Sequence, residues 1–300
     1  MRTCVIALVL ISALPARSLS AQARCGDKDP EISISVCSAV IREGRVRGRE
    51  LAAAHASRGI AYVSLLDYDR ALQDFDEAIR IDPAFTAALA NRGAVYGARQ
   101  DFDKAIDDFT RVLKLNPGSA PAFADRAGMY RLSGQNEEAL RDYSEAVRLD
   151  PVFAEAILNR AVVLAGTGRC AQAIADFTRV IELNPNEPIA FLDRGVCHEA
   201  AGRDDLALED FSAHIRLEPR SQFGLERRAA LHVRAARYDR SMADYATALV
   251  VNPSSATALY GLGIVKMRTG DVKGGTQDAD TAVAMRPRVA DEMAARGVKP

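Results

Sequence analysis

The chain has 300 residues, 48% of them hydrophobic and 26% charged, a balance that excludes a disordered polymer and supports a packed core. Its formal charge of −1 gives no broad electrostatic reason to expect DNA, RNA or an anionic membrane as partner. One basic run, IREGRVRGRE at 41–50, also contains Glu43 and Glu50 and reads as a solvated loop.

At the N-terminus Arg2 precedes the apolar run CVIALVLISAL, which is too short to span a bilayer comfortably. Ala21-Gln22-Ala23 follows and fits the A-x-A cleavage pattern of a secretory signal. Residues 1–23 are therefore expected to be a signal peptide; an uncleaved membrane anchor is the competing reading. No later segment is apolar for long enough to cross a membrane, so no stable insertion is expected. Export would remove Cys4 and leave Cys25, Cys37, Cys170 and Cys197, an even count in an oxidising compartment. Cys25 and Cys37 flank a short segment and are the expected disulfide.

From residue 52 onward the chain repeats itself. FDKAIDDFTRVLKLNP at 102–117 places Ala105, Ile106, Phe109, Val112 and Leu113 on one helix face before Pro117 stops the helix near Asn116. Pro83, Pro117, Pro151, Pro185, Pro219, Pro253 and Pro287 recur at a spacing of 34 residues. In Arg160–Pro185 an apolar helix breaks at Gly166 and Gly168 before a second amphipathic helix, so each unit predicts a helix–turn–helix hairpin. One hairpin cannot bury its apolar face alone, and successive hairpins must stack.

The units resemble tetratricopeptide repeats. The family's small slot holds Gly59, Gly93, Ala127, Ala161, Gly195, Ala229 and Gly263. Its second-helix alanine slot holds Ala71, Ala105, Ala139, Ala173 and Ala207, then Ser241 and Gly275. The aromatic slot holds Phe75, Phe109, Tyr143, Phe177, Phe211 and Tyr245, and fails at Ala279. The resemblance implies an all-α, right-handed superhelical solenoid of about seven repeats over 52–289. ISVCSAVI at 34–41 matches the pattern of IDDFTRVL at 106–113, so 24–51 reads as half a repeat capping one end. RVADEMAARGV at 288–298 reads as a short helix in the cap and tail, 290–300, at the other. The last unit, with Gly274-Gly275 and Ala279, looks worn, as terminal repeats facing water commonly do.

Two further series keep the same period. Arg58, Arg92, Arg126, Arg160, Arg194 and Arg228 fall in first helices; Asp74, Asp108, Asp142, Asp176, Asp210 and Asp244 fall in second helices. One aspartate for each arginine within a repeat predicts a partly buried ladder of ion pairs that fixes helix register. Asp278 is left over, because Leu262 takes its arginine's place. The rival reading, an arginine row for acidic ligands, would turn those side chains into the groove.

In this family the first helices line a groove for peptides, and the positions carried over here are Asn91, Asp125, Asn159, Asp193 and Arg227. The family's carboxylate clamp of Lys-Asn-Asn-Lys-Arg is matched only at Asn91; Ala56, Ile60, Pro121 and Asp125 stand elsewhere in it. An acidic tail is therefore not the expected ligand, and Asp125 with Asp193 points to a neutral or basic one. His198 and His232 share the slot of Tyr62, Tyr96 and Tyr130 and read as packing residues, as do His55 and His214. No metal-ligand spacing and no phosphate loop occur, so neither metal nor cofactor is expected. Cys170 and Cys197 approach one edge of stacked hairpins and are either bridged or two buried thiols. The reading is an exported, non-enzymatic protein-interaction scaffold of the bacterial periplasm that binds a protein or peptide segment. An envelope hydrolase or thiol enzyme with its site outside the repeats is the alternative.

Overall fold

The computed structural model describes residues 25–300; the expected signal peptide, 1–23, lies outside the described residues. These fold into sixteen α-helices, with no strand among them. Helix α1 (Pro30–Glu43) comes first. Seven hairpins follow: α2 (Gly48–Ser64) with α3 (Tyr68–Ile81), α4 (Thr86–Ala98) with α5 (Phe102–Leu115), α6 (Ala120–Leu132) with α7 (Asn136–Leu149), α8 (Ala154–Gly166) with α9 (Cys170–Leu183), α10 (Pro188–Ala200) with α11 (Asp204–Leu217), α12 (Gln222–Arg234) with α13 (Tyr238–Val251), and α14 (Ala256–Arg268) with α15 (Val272–Met285). Helix α16 (Val289–Ala295) is last. The chain divides into two compact units, Met1–Ala156 and Ile157–Pro300.

The basic run at 41–50 is not a loop along its length. Helix α1 extends through Glu43 and α2 begins at Gly48, leaving only 44–47 outside helices. Arg and Glu are good helix formers, and Gly44 at φ 63° makes the stop.

Within each unit, helices pack on their neighbours in order. Helix α2 lies on α3, α3 on α4, α4 on α5, α5 on α6 and α6 on α7; in the second unit α9 lies on α10, and so on to α14 on α15. Each first helix ends in one kind of turn. Leu66, Gln100, Gly134, Gly168, Gly202, Ala236 and Gly270 all take positive φ. The next residue's N–H then reaches back five residues, as Asp67 does to Tyr62 O and Gln135 to Tyr130 O, the geometry of a Schellman cap. Only Gly168 of the expected Gly166/Gly168 pair does this work; Gly166 remains the last residue of α8. The second helices end before their prolines, α5 with Asn116 as its C-cap and Pro117 beyond.

Small residues and rings interlock between the two helices of a hairpin. A Cβ built on Gly59 would lie 2.8 Å from Phe75 Cε1, and one on Gly195 would lie 2.7 Å from Phe211 Cε1. Phe75, Phe109, Tyr143, Phe177, Phe211 and Tyr245 are fully buried there, each contributing about 1.5–3 kcal/mol of transfer free energy.

The last hairpin is close-packed, not worn. With Gly263 facing Gly275 and no ring between them, α14 and α15 approach backbone to backbone. A Cβ on Gly263 would sit 2.6 Å from Gly275 O, and one on Gly275 would sit 2.6 Å from Met267 Cγ. Gly275→Ala should therefore destabilise the fold by about 1–3 kcal/mol through overpacking, although alanine fills this slot in five other repeats. Chemical denaturation reads it. The roughly 1 kcal/mol gain that helix propensity alone would give is the opposite outcome.

Candidate interaction face

Charge on the repeats sorts into two sets, one between the helices and one along the first helices. The set between them begins with aspartates such as Asp108, which sits on the apolar face of α5 beside Ala105, Phe109 and Val112. A carboxylate there must find a partner or be costly to bury. Arg58, Arg92, Arg126, Arg160, Arg194 and Arg228 each donate Nε and Nη2 to the two oxygens of Asp74, Asp108, Asp142, Asp176, Asp210 and Asp244 respectively. These bonds span 2.6–3.0 Å. Such a planar fork is available to arginine and not to lysine.

The third nitrogen carries a contact that the spacing did not reveal. Nη1 crosses to the preceding second helix, reaching Asp76 from Arg92, Thr110 from Arg126, Thr178 from Arg194 and Ser212 from Arg228. Arg58 does the same toward Ser38 on α1. These residues lie 16 positions earlier in the repeats, and the arginine ties three helices together. Aromatic rings one turn away shield it: Phe123 and Tyr130 lie 5.7 and 5.8 Å from Arg126 Cζ.

The first repeat adds His55, whose Nδ1 lies 2.8 Å from Asp74 Oδ1. Burial pushes the Asp74 carboxyl up, but hydrogen bonds from Arg58 and His55 outweigh it and hold it below the ordinary carboxylate range. A depressed native value means stability present at neutral pH and lost on acidification. Asp278 is not left over, as the period had suggested. Lys266, one turn beyond Leu262 on the same helix face, donates Nζ to Asp278 Oδ2 at 2.6 Å. That pair is wetter, with Asp278 at 23% side-chain exposure against 3% for Asp108.

The second set lies along the first helices. Asn91 is buried and donates Nδ2 to Ala87 O of its own helix. Asp125, on α6, is partly buried and makes no hydrogen bond or ion pair with a described residue. Its sequence neighbour Arg126 is committed to Asp142. Burial, with the charge of Glu155 adding, pushes the Asp125 carboxyl up to about 7. Asn159 lies partly buried on α8. Asp193, on α10, is raised by burial against the opposing pull of His214 and Arg227. Arg227 donates to Glu199 Oε2 at 2.8 Å, and Glu199 is itself almost covered. Glu226 is buried too, accepting from Gln222 Nε2 and Ser255 Oγ. Each unit thus carries acids along its first helices, Asp125 and Glu155 in one and Asp193, Glu199 and Glu226 in the other; Glu155, Glu199 and Glu226 share no common period, so no repeat spacing marks them.

Both cysteine pairs stand at bridging distance, Cys25–Cys37 with Cα atoms 4.8 Å apart and Cys170–Cys197 with 5.1 Å. His214 bridges Pro188 O and Ser221 Oγ. His198 and His232 are buried, and burial lowers both, keeping them neutral. Among the described residues no three metal-ligating side chains cluster, and no helix is long and apolar enough to cross a membrane.

Two measurements check these assignments. Asp142→Ala strands Arg126 and should cost about 3–5 kcal/mol; Asp278→Ala, which leaves a wetter Lys266 free to reach solvent, should cost roughly 1 kcal/mol or less. Equal losses on urea melting would contradict the ladder. Asp125 has its native value raised above the unfolded one, so folding holds a proton that the unfolded chain releases between about pH 4 and 7. Stability should fall as pH rises through that window, and Asp125→Asn should raise Tm at pH 8 while leaving it nearly unchanged at pH 4. A pH-independent difference would contradict the uncompensated carboxyl.

Models of the tetratricopeptide repeat match residues 52–85, 86–119, 158–221 and 227–290, and a TPR repeat model matches 128–168, together most of the chain. No curated protein matches the sequence. Among solved structures, the C-terminal part of a TPR repeat-containing protein from Cytophaga hutchinsonii is similar at 16% identity and TM-score 0.67, covering 81% of this chain and 98% of that one. A tetratricopeptide repeat protein from Parabacteroides merdae is similar at 23% identity and TM-score 0.59, covering 82% and 98%. YrrB, described as a TPR protein with an unusual peptide-binding site, is similar at 24% and TM-score 0.54, covering 63% and 95%. These likenesses are to the fold, and the repeat matches go further: the chain belongs to the tetratricopeptide repeat family.

Proposed function

We propose that this protein is an exported scaffold that holds a basic protein segment against the first helices of its repeats, without bond chemistry. The observation that carries the reading is Asp125. A partly buried carboxylate beside Glu155, with no cation from the described chain, is paired most economically by a ligand that brings one. Asp193, in the second unit, is likewise raised by burial, although His214 and Arg227 pull the other way. Asn91, Asn159 and Arg227 flank these acids in the same first-helix slot and supply polar contacts along it.

Rigidity supports the reading as well. The arginine forks hold helices in register, so the face is offered preformed and little ordering cost falls on binding. YrrB, a similar fold, is described as having a peptide-binding site. Two cysteine pairs at bridging distance fit an oxidising compartment, and with residues 1–23 as a signal they favour the periplasm. A thiol enzyme would need a free thiolate, and the pairing of Cys25 with Cys37 and of Cys170 with Cys197 at bridging distance supports the scaffold reading over it.

The test places a photo-crosslinking residue in cells at Val162, on a first helix, or at Val250, an exposed second-helix position. One partner should be trapped from Val162 and not from Val250. Asp125→Asn with Asp193→Asn should then cut its yield at least tenfold, and raised salt should weaken it further. Equal trapping from Val250, or an unchanged yield in the double variant, would overturn the proposal.

A further inference from the structure

The first-helix slot that runs Ile60, Ala94, Gly128, Val162, Val196, Ala230 and Ile264 serves as its own control. Its first five members are partly open, whereas Ala230 and Ile264 are both fully buried. What covers them is the end of the chain. Met293, on α16, and Val298, beyond it, are buried in one apolar cluster with Ala230 and Val233 of α12 and Tyr260 and Ile264 of α14.

Local chemistry explains how the chain gets there. In MAARGV, Gly297 takes φ 79°, its N–H bonds Ala294 O, and Val298 N–H bonds Met293 O. This is a Schellman turn, whose hydrophobic contact joins the residues Met293 and Val298 themselves. The turned chain runs over Arg234, whose Cδ lies 2.8 Å from where a Cβ on Gly297 would be, and Arg268 donates to Lys299 O at 2.7 Å.

Between the two apolar anchors lies Arg296, half-buried beside Glu199, Glu226 and Arg227. It makes no side-chain hydrogen bond or ion pair with a described residue. Burial and the charge of Arg227 outweigh Glu199 and Glu226 and hold its guanidinium below its ordinary value. Glu226, meanwhile, is a buried carboxylate satisfied only by Gln222 and Ser255. The tail has its apolar anchors seated and its charge unmatched.

We propose that the face of repeats 6 and 7 is a binding surface for a partner segment of pattern apolar-x-x-Arg-x-apolar, and that residues 289–300 are its displaceable built-in occupant. This rests on the first-helix reading above and names the chemistry of its C-terminal end. A partner arginine that reaches Glu226 or Glu199 gains the charge-assisted bonds that Arg296 lacks, which lets it win against a tethered competitor.

The test uses a fluorescein-labelled peptide, RVADEMAARGVKP, and fluorescence anisotropy. It should bind at least tenfold more tightly to a chain ending at Arg288, and to the full chain carrying Val298→Asp, than to the unaltered chain. Arg296→Glu in the peptide should remove at least tenfold of that affinity. Circular dichroism melting shows whether the repeats stay folded, and if the shortened chain does not, Val298→Asp decides. Equal binding by the unaltered and Val298→Asp chains, or none by any folded chain, overturns the proposal. That failure leaves trapping from Val162 untouched, whereas loss of the Val162 result with peptide binding intact would sink the wider reading alone.

Discussion

A guanidinium shared by three helices is the contact on which the architecture turns. The arginine of each first helix forks onto an aspartate of its own second helix and, with its remaining nitrogen, holds the second helix before it. Apolar stacking alone is non-directional and tolerates sliding. Fixed hydrogen bonds of 2.6–3.0 Å do not, so the pairs set register while the rings and small residues supply burial. Buried pairs of this kind add little net stability, yet a broken one leaves a charge with no water, and misregistered stacking is penalised accordingly.

Because the ladder satisfies its own charges between helices, the first-helix face is left to carry charges that are not satisfied. Burial raises Asp125 with no cation among the described residues and raises Asp193 against the pull of His214 and Arg227, while the buried Glu226 accepts only from Gln222 and Ser255. Within the second unit the C-terminal segment packs on α12 and α14 through two apolar side chains, Met293 and Val298, on either side of Arg296, supported by a turn that Gly297 makes possible.

Periodicity made most of the fold legible. Helices, turns and the Arg–Asp sequence spacing all repeat every 34 residues, and a feature that repeats can be read from one chain. What escaped was the Nη1 contact, whose partner slot keeps the period but changes residue type among Asp76, Thr110, Thr178 and Ser212, and whatever breaks the period. Lys266 replaces an arginine from one turn away, so a slot-by-slot reading left Asp278 alone. Gly263 and Gly275 looked like erosion because their meaning lies in how near two backbones come, a distance no spacing encodes. Leu66, Gln100 and Ala236 adopt a turn that glycine makes in the other repeats, since the cap's hydrogen bonds and packing outweigh the side-chain cost. The tail was visible as a helix but not as an occupant, because docking is a tertiary event and its residues occur once.

Arg194→Lys tests the central claim most directly: it keeps the charge and removes the fork, and equilibrium unfolding in guanidinium chloride reads both midpoint and slope. If one side chain couples three helices, stability should fall by about 2–3 kcal/mol and the slope should drop as neighbouring repeats begin to unfold separately. An unchanged slope with a loss below roughly 0.5 kcal/mol would mean that charge alone suffices and that the ladder does not hold the repeats together.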